Sequence, residues 1–150
     1  GAQVWVTSSS PEKIARAITL GALGGVNYRE DNWAEALQQQ AGRFEVIVDS
    51  AGGAGFAPLI DLTAPGGRIV FFGATRGNPT SLDLRKCFFR QINMLGTTMG
   101  SPEDFSSLMT FVAAHKITPV VDKVFPLAEA DAAFRRMAAG EQFGKIVLAI

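Results

Sequence analysis

The sequence has little of the residues from which disulfides and soft metal sites are built. Among its 150 residues there is one cysteine, Cys87, and one histidine, His115. A lone cysteine excludes an internal disulfide and a cysteine-cluster metal site, and His115 has no second histidine with which to share a zinc ion. We therefore predict a fold held by packing, with no metal bound and with His115 in a contact at the end of a helix.

An excess of one charge and long apolar runs are also missing. Fourteen basic residues balance fourteen acidic ones, and no Lys/Arg run exceeds two residues. This pattern disfavours nucleic acid and anionic membranes as partners. No apolar run approaches the roughly 20 residues that span a bilayer, and the first residues lack the basic and apolar regions of a secretory signal. We predict a cytoplasmic protein with no nucleic acid or membrane partner.

The first hundred residues alternate between short apolar runs and segments of helical period. Ser9 or Ser10 can cap a helix with Ile18 on its buried side, ended by Gly21 and Gly24-Gly25, and further helices begin near residues 31 and 56. The last of these is expected to stop at Pro65-Gly66-Gly67, and residues 75–85 are expected to form a loop. Strands are predicted at residues 2–7, 26–28, 44–49, 68–73 and 92–98. The run Val46–Val48 is apolar throughout, which is typical of a strand covered on both faces.

After residue 100 the pattern gives a helix, a strand, a second helix and a last strand. Ser101-Pro102-Glu103-Asp104 is a strong helix start. Helical spacing predicts that apolar side chains of both helices face inward, namely those of Phe105, Leu108, Met109, Val112, Ala130, Phe134 and Met137. The strands are predicted at residues 120–125 and 145–149. Connections this short imply right-handed crossovers and a mostly parallel sheet, which binds ligands beyond the carboxyl ends of its strands.

Glycine-rich phosphate loops are absent. Gly52-Gly53-Ala54-Gly55 comes nearest to G-x-G-x-x-G, but its spacing does not fit. We interpret it as a strand-to-helix turn. The alternative is that its small residues let a ribose lie against the backbone.

The serine run at residues 8–10 also has two interpretations. The hydroxyls can simply cap the helix that follows. They can also occupy the strand end at which an acid would bind the adenine ribose 2′-hydroxyl of NAD. An acid there would repel a 2′-phosphate, whereas hydroxyls, helix amides and Lys13 would accept one. The missing acid favours NADP over NAD.

Several phrases of the sequence together resemble one family. "GAQVWVTSSSPEK", "FEVIVDSAGG", "PGGRIVFFGATRG" and "FPLAEADAAFRRMAAGEQFGKIVL" are similar to the C-terminal half of medium-chain dehydrogenase/reductases, the zinc-type alcohol dehydrogenases and quinone-oxidoreductase-like enzymes. The resemblance covers essentially the whole chain. It implies an α/β fold with a Rossmann-like, doubly wound, mostly parallel sheet. It also implies hydride transfer between a nicotinamide dinucleotide and a small-molecule carbonyl, alcohol or activated alkene.

The resemblance also implies which residues bind the cofactor, although it assigns no catalytic residue. At the adenosine 2′-phosphate it places Ser8, Lys13 and Tyr28. Ser50 and Ala51 would approach the ribose, and Phe72, Gly73 and Ala74 would lie near the nicotinamide. The remaining residues of the expected cofactor site are Ser9, Thr97, Thr98 and Lys145.

Other features of the family have no counterpart in these residues. The catalytic domain, any zinc ligands, the first Rossmann strand and the glycine-rich loop would lie upstream, so zinc, if used, is expected outside this segment. We expect residues 1–117 to be a partial dinucleotide-binding domain and residues 118–150 to return to the catalytic domain. The chain alone is expected to bind dinucleotide weakly and to be inactive. We expect the protein to form a homodimer through the strand near Ile92–Thr98.

Two functions of other classes stay open at this stage. A Rossmann-type domain can bind another adenine ligand, such as S-adenosylmethionine, and fold analogy alone does not exclude it. The chain can also be a non-enzymatic oligomerisation module, which would show an apolar strand edge and no pocket at the strand ends.

Overall fold

The computed structural model describes all 150 residues as two compact units, Gly1–Met99 and Gly100–Ile150. None of the helices combines the length and apolar character needed to cross a bilayer. The first unit contains, in chain order, β1 (Trp5–Ser8), α1 (Pro11–Thr19), β2 (Gly24–Asn27), α2 (Trp33–Ala41), β3 (Phe44–Asp49), α3 (Ala57–Leu62), β4 (Thr63–Phe71), α4 (Leu84–Phe89) and β5 (Asn93–Gly96). The second contains α5 (Pro102–Ala114), β6 (Val121–Pro126), α6 (Ala130–Ala138) and β7 (Lys145–Ala149).

Every strand pair in the structure is parallel. In the first unit β1 pairs with β2, and β3, β4 and β5 form a second sheet in that order. β1 and β3 each keep one edge without a strand partner. The prediction of a Rossmann-like, mostly parallel α/β fold that lacks one strand is therefore confirmed.

A shared core joins the two sheets of the first unit. Val26 of β2 and Leu37 of α2 belong to the same buried cluster as Ile60 of α3 and Ile69 of β4. Ile60 and Ile69 are 2% and 0% exposed. Burying an aliphatic side chain contributes roughly 1.5–3 kcal/mol. Helices α2 and α3 thus hold together two sheets that share no strand pairing.

Two glycines that were expected to end the first helix lie inside β2 instead. A Cβ on Gly24 would come within 2.4 Å of the Trp5 ring, and one on Gly25 within 2.6 Å of the Val6 carbonyl oxygen. Only glycine allows β2 to pair this closely with β1. The prediction that these residues end a helix is wrong because their role is close strand packing.

The segment from Thr63 to Phe89 differs in two ways from the prediction. β4 begins at Thr63, so Pro65-Gly66-Gly67 lies within a strand, and a register shift between Phe44 and Val46 of β3 accommodates the irregular stretch. The predicted loop ends earlier than expected, because Asp83 caps α4 by accepting a hydrogen bond from the Lys86 amide. An acid followed by Leu84 was the signal for this helix.

Apart from that of α4, the helix starts were predicted correctly, but the burial of helix and strand faces was not. Ser101 and Asp104 form a capping box at α5, with N···O distances of 2.8 and 3.1 Å. Phe105 on that helix is nevertheless 64% exposed, and Val48 of β3 is 66% exposed. Further side chains predicted to be inward but found exposed are those of Ile18, Val46, Leu108, Met109, Phe134 and Met137. An apolar stripe shows which side can be buried, whereas burial requires an element to cover it.

The second unit is held by a buried acid as well as by apolar packing. The Asp122 carboxylate accepts hydrogen bonds from Arg136 Nε at 2.6 Å, from Arg136 Nη2 at 3.1 Å and from the Phe143 amide at 3.0 Å. Phe125 of β6 and Ala133 of α6 are buried, and β6 pairs with β7. These contacts join both strands to α6.

Candidate functional site

The carboxyl ends of β4 and β5 line a cavity that is open to solvent. It has a volume of about 490 Å³ and is lined by Phe71, Phe72, Gly73, Ala74, Gly96, Thr97 and Thr98. The Thr97 amide donates to the Phe71 carbonyl at 3.0 Å, which fixes one strand end against the other. A volume of this size falls in the range of small-molecule sites. Five residues of the expected cofactor site thus lie together, namely Phe72, Gly73, Ala74, Thr97 and Thr98.

The turn after β3 brings Ser50 and Ala51 to the same sheet edge. Asp49 Oδ2 accepts from the Gly52 amide at 2.8 Å, so this acid has a structural role. A Cβ on Gly73 would lie only 2.4 Å from the Ser50 carbonyl oxygen. Ser50 therefore packs directly against the backbone that lines the cavity.

A loop from β4 packs on the glycine turn. The Arg76 amide donates to the Ala51 carbonyl at 2.9 Å, and the Gly53 amide donates to the Gly77 carbonyl at 2.7 Å. Gly52 and Gly53 both have φ of +67°, and a Cβ on Gly53 would lie 2.7 Å from the Arg76 carbonyl oxygen. The turn interpretation is confirmed, and the space beside the glycines is taken by this loop.

The end of β1 serves to cap α1. Ser10 Oγ accepts from the Lys13 amide at 3.2 Å, and Ser8 Oγ accepts from the Ser10 amide at 3.3 Å. Capping by Ser10 is as predicted. Ser10 Oγ also donates to the Glu12 carboxylate, and this hydrogen bond lowers the pKa of Glu12. Sequence reasoning missed Glu12, although the order Ser-Pro-Glu at a helix start was its signal.

Tyr28 lies beside the end of β1 and contacts a cation from the other sheet. Its amide donates to the Ser8 carbonyl at 3.1 Å. Arg76 Nη2 donates to the Tyr28 hydroxyl at 2.8 Å, and the guanidinium carbon lies 4.3 Å from the ring centroid. Arg76 was not among the predicted site residues. It is the one cation in the polar stretch from Ala74 to Leu82.

Further predicted features are found on other elements. Lys145 begins β7 in the second unit, where its amide donates to the Val120 carbonyl at 2.8 Å. β5 pairs only with β4, so one edge of it has no strand partner. Burial, followed by the charge of Asp83, raises the pKa of Cys87, which disfavours the reactive thiolate.

The comparisons with known proteins agree on one family. A family model for zinc-binding dehydrogenases matches residues 20–148. The zinc-type alcohol dehydrogenase-like protein YogA of Leptosphaeria maculans is 32% identical over the whole chain, which covers 44% of that relative. Quinone oxidoreductase-like protein 2 of Bos taurus is 26% identical, with 99% of the chain and 46% of the relative covered. The chain spans less than half the length of these curated relatives.

Solved structures show the same relationship. A crystal structure described as an NAD-dependent alcohol dehydrogenase has a TM-score of 0.89 and 36% identity to this chain. The match covers all of this chain and 44% of the chain in that structure. A second, a putative alcohol dehydrogenase from Sinorhizobium meliloti 1021, has a TM-score of 0.90 and 32% identity, with the same two coverages.

Proposed function

Because the chain belongs to the zinc-binding dehydrogenase family, we propose that it forms the nicotinamide-dinucleotide-binding part of a longer oxidoreductase that prefers NADP(H). The residues present fit such a cofactor at both ends. The cavity at the ends of β4 and β5 is lined largely by backbone and small side chains, which suits a flat ring. The end of β1 offers hydroxyl groups and the start of a nine-residue helix, which suits a phosphate.

The preference for NADP(H) is carried by one observation, which is that β1 ends in serines and not in an acid. Ser8 is the last residue of β1, and Ser9 follows it directly. A carboxylate at this position would bind the ribose 2′-hydroxyl of NAD and repel the 2′-phosphate of NADP. Ser8, Ser9 and Lys13 would instead hold the phosphate.

At the other end, Phe72, Gly73, Ala74, Thr97 and Thr98 would hold and orient the nicotinamide. When bound, the cofactor supplies or accepts the hydride. The contribution of this chain is to keep the ring between the ends of β4 and β5 and to exclude water from one side of it. We assign no zinc ligand here, because no three His, Cys, Asp or Glu side chains cluster in the chain. The substrate of the longer protein would be a small carbonyl, alcohol or activated alkene.

A specific observation favours NAD(H) as a second candidate. The Glu12 carboxylate lies on Ser10 at the same helix start and has a lowered pKa, so it is charged at neutral pH. A carboxylate can accept hydrogen bonds from ribose hydroxyls. A similar solved structure is described as NAD-dependent. This reading makes Glu12 the residue that selects the cofactor.

Titration of the full-length protein with NADPH and NADH tests the proposal. At constant ionic strength, we expect NADPH to bind at least about tenfold more tightly, because hydrogen bonds to a charged phosphate are the strong ones. Equal affinities would contradict the preference. Tighter binding of NADH would favour the Glu12 reading.

We further propose that residues 1–150 alone bind dinucleotide weakly and catalyse no reduction. The support is that β1 and β3 each present an open edge, so the two parts of the site are not joined by a common sheet. Micromolar NADPH affinity or turnover by the isolated chain would overturn this proposal.

The free edge of β5 supports the expected homodimer, and sedimentation of the full-length protein at micromolar concentration tests it.

A further inference from the structure

Arg76 links the two sheets of the first unit at their carboxyl ends. It follows β4, whereas its partner Tyr28 follows β2, 48 residues earlier. The guanidinium both stacks on the Tyr28 ring, at 4.3 Å from its centroid, and donates to the hydroxyl at 2.8 Å. The side chain therefore extends from the loop on the nicotinamide side to the end of the sheet that carries the serines.

The backbone of Arg76 is fixed by the turn beneath it. Its amide is bonded to Ala51, and its carbonyl oxygen packs against Gly53 so closely that a Cβ would not fit. Gly77 closes the loop with a hydrogen bond to Ala74 at 2.9 Å. Both the backbone and the aromatic face therefore hold the residue in place, although it is exposed to solvent.

No acid neutralises this guanidinium. Lys86, Arg90 and Arg136 pair with carboxylates, whereas Arg76 makes no ion pair. Tyr28 accepts one of the five N–H donors of the guanidinium. The planar fork that remains matches the oxygens of a phosphate.

Tyr28 connects this cation to the serine end of β1. The Tyr28 amide is bonded to the Ser8 carbonyl, so the backbone of Tyr28 lies next to the end of β1, which Ser9 and Lys13 follow. We propose that Arg76 is a further specificity-determining residue, which donates to the 2′-phosphate of NADP(H) while Tyr28 orients it. This inference rests on the proposed function, because it assumes that a dinucleotide occupies these strand ends.

The test is Arg76→Gln in the full-length protein, with NADPH and NADH affinities measured by fluorescence titration. We expect the Kd of NADPH to rise about 10- to 100-fold, as is usual when a hydrogen-bonded charge is lost, and that of NADH to change less than about threefold. Two smaller competitors isolate the phosphate. 2′,5′-ADP should lose affinity as NADPH does, and 5′-AMP should not.

Matched variants separate recognition from loss of structure. Arg85→Gln removes the same charge from α4, and we expect it to leave both affinities unchanged. Arg76→Lys keeps the charge but loses the planar fork, so it should weaken NADPH binding by a smaller factor. Tyr28→Phe keeps the ring and removes the acceptor, so it should weaken NADPH binding less than Arg76→Gln does. Circular dichroism spectra of all four variants should match the wild type.

Three results would overturn the inference. If Arg76→Gln weakens NADPH and NADH equally, the guanidinium contacts the pyrophosphate or serves only the fold. If it changes neither affinity, Arg76 does not reach the cofactor. If the wild-type protein shows no preference for NADPH, the proposed function fails before any variant is compared, and the inference fails with it.

Discussion

Gly53 offers the sharpest test of how the candidate site is built. In Gly53→Ala the new Cβ would lie 2.7 Å from the Arg76 carbonyl oxygen, and the residue would keep a φ of +67°. A non-glycine residue in the left-handed region costs about 1 kcal/mol. Displacing the loop would also weaken the Gly53 to Gly77 hydrogen bond, which contributes about 1 kcal/mol. We expect a total loss of about 2 kcal/mol in the free energy of unfolding.

Gly77→Ala is the matched control for this change. Gly77 also has a positive φ, +86°, but nothing lies within 4 Å of its Cβ position. It should therefore lose only the conformational part, about 1 kcal/mol. The assay is urea unfolding of the full-length protein, followed by the fluorescence of Trp5 and Trp33 against a tryptophan-free background in the rest of the protein. Equal losses for the two variants would refute the close packing of loop and turn.

Three further predictions concern the cofactor, the core and a helix cap. Glu12→Gln should tighten NADPH binding severalfold, because it removes a negative charge beside Ser10. If the variant instead binds NADH more weakly and NADPH unchanged, the result supports the NAD(H) candidate. Thr63→Val should lower stability by about 1–2 kcal/mol in urea unfolding, because the buried hydroxyl donates to the Leu59 carbonyl at 2.6 Å; an unchanged midpoint would contradict this. Hydrogen bonds from Ser101 lower the pKa of Asp104, so its stabilisation is complete above the unfolded value of about 4 and is lost as the pH falls through the folded value. Asp104→Asn should remove that pH dependence of stability, and a variant that keeps the wild-type pH profile would contradict it.

Local signals in the sequence predicted local structure well. Ser10 and Ser101 cap their helices because a cap depends on residues only two or three positions apart. The residues predicted for the cofactor at the ends of β4 and β5 lie together for a similar reason, since parallel strands in one sheet end at one edge. Gly73 and Thr97, for example, line one cavity although 24 residues separate them.

Burial and long-range side-chain contacts were not predictable in the same way. The helical spacing of Phe105 and Phe134 is regular, but both are more than half exposed, because periodicity carries no information about the covering element. The contact between Arg76 and Tyr28 depends on the packing of two sheets, which no local pattern describes. Glu12 was not predicted as a site residue because a dinucleotide fold binds the adenine ribose at the strand end, and Glu12 lies in the helix turn after it.

The two parts of the candidate site are kept at a fixed distance by side-chain packing and not by strand pairing. β1 and β2 carry the serines and Tyr28, whereas β3, β4 and β5 carry the cavity, and no strand pairing joins the two sheets. Their spacing is therefore set by the packing of α2 on α3, where Leu37 and Ile60 share the core, and by the contact of Arg76 with Tyr28. A dinucleotide bound across both sheets would have to match that spacing. Core packing and the proposed cofactor discrimination are thus coupled in this chain, since a shift of either helix would move the serines relative to the cavity.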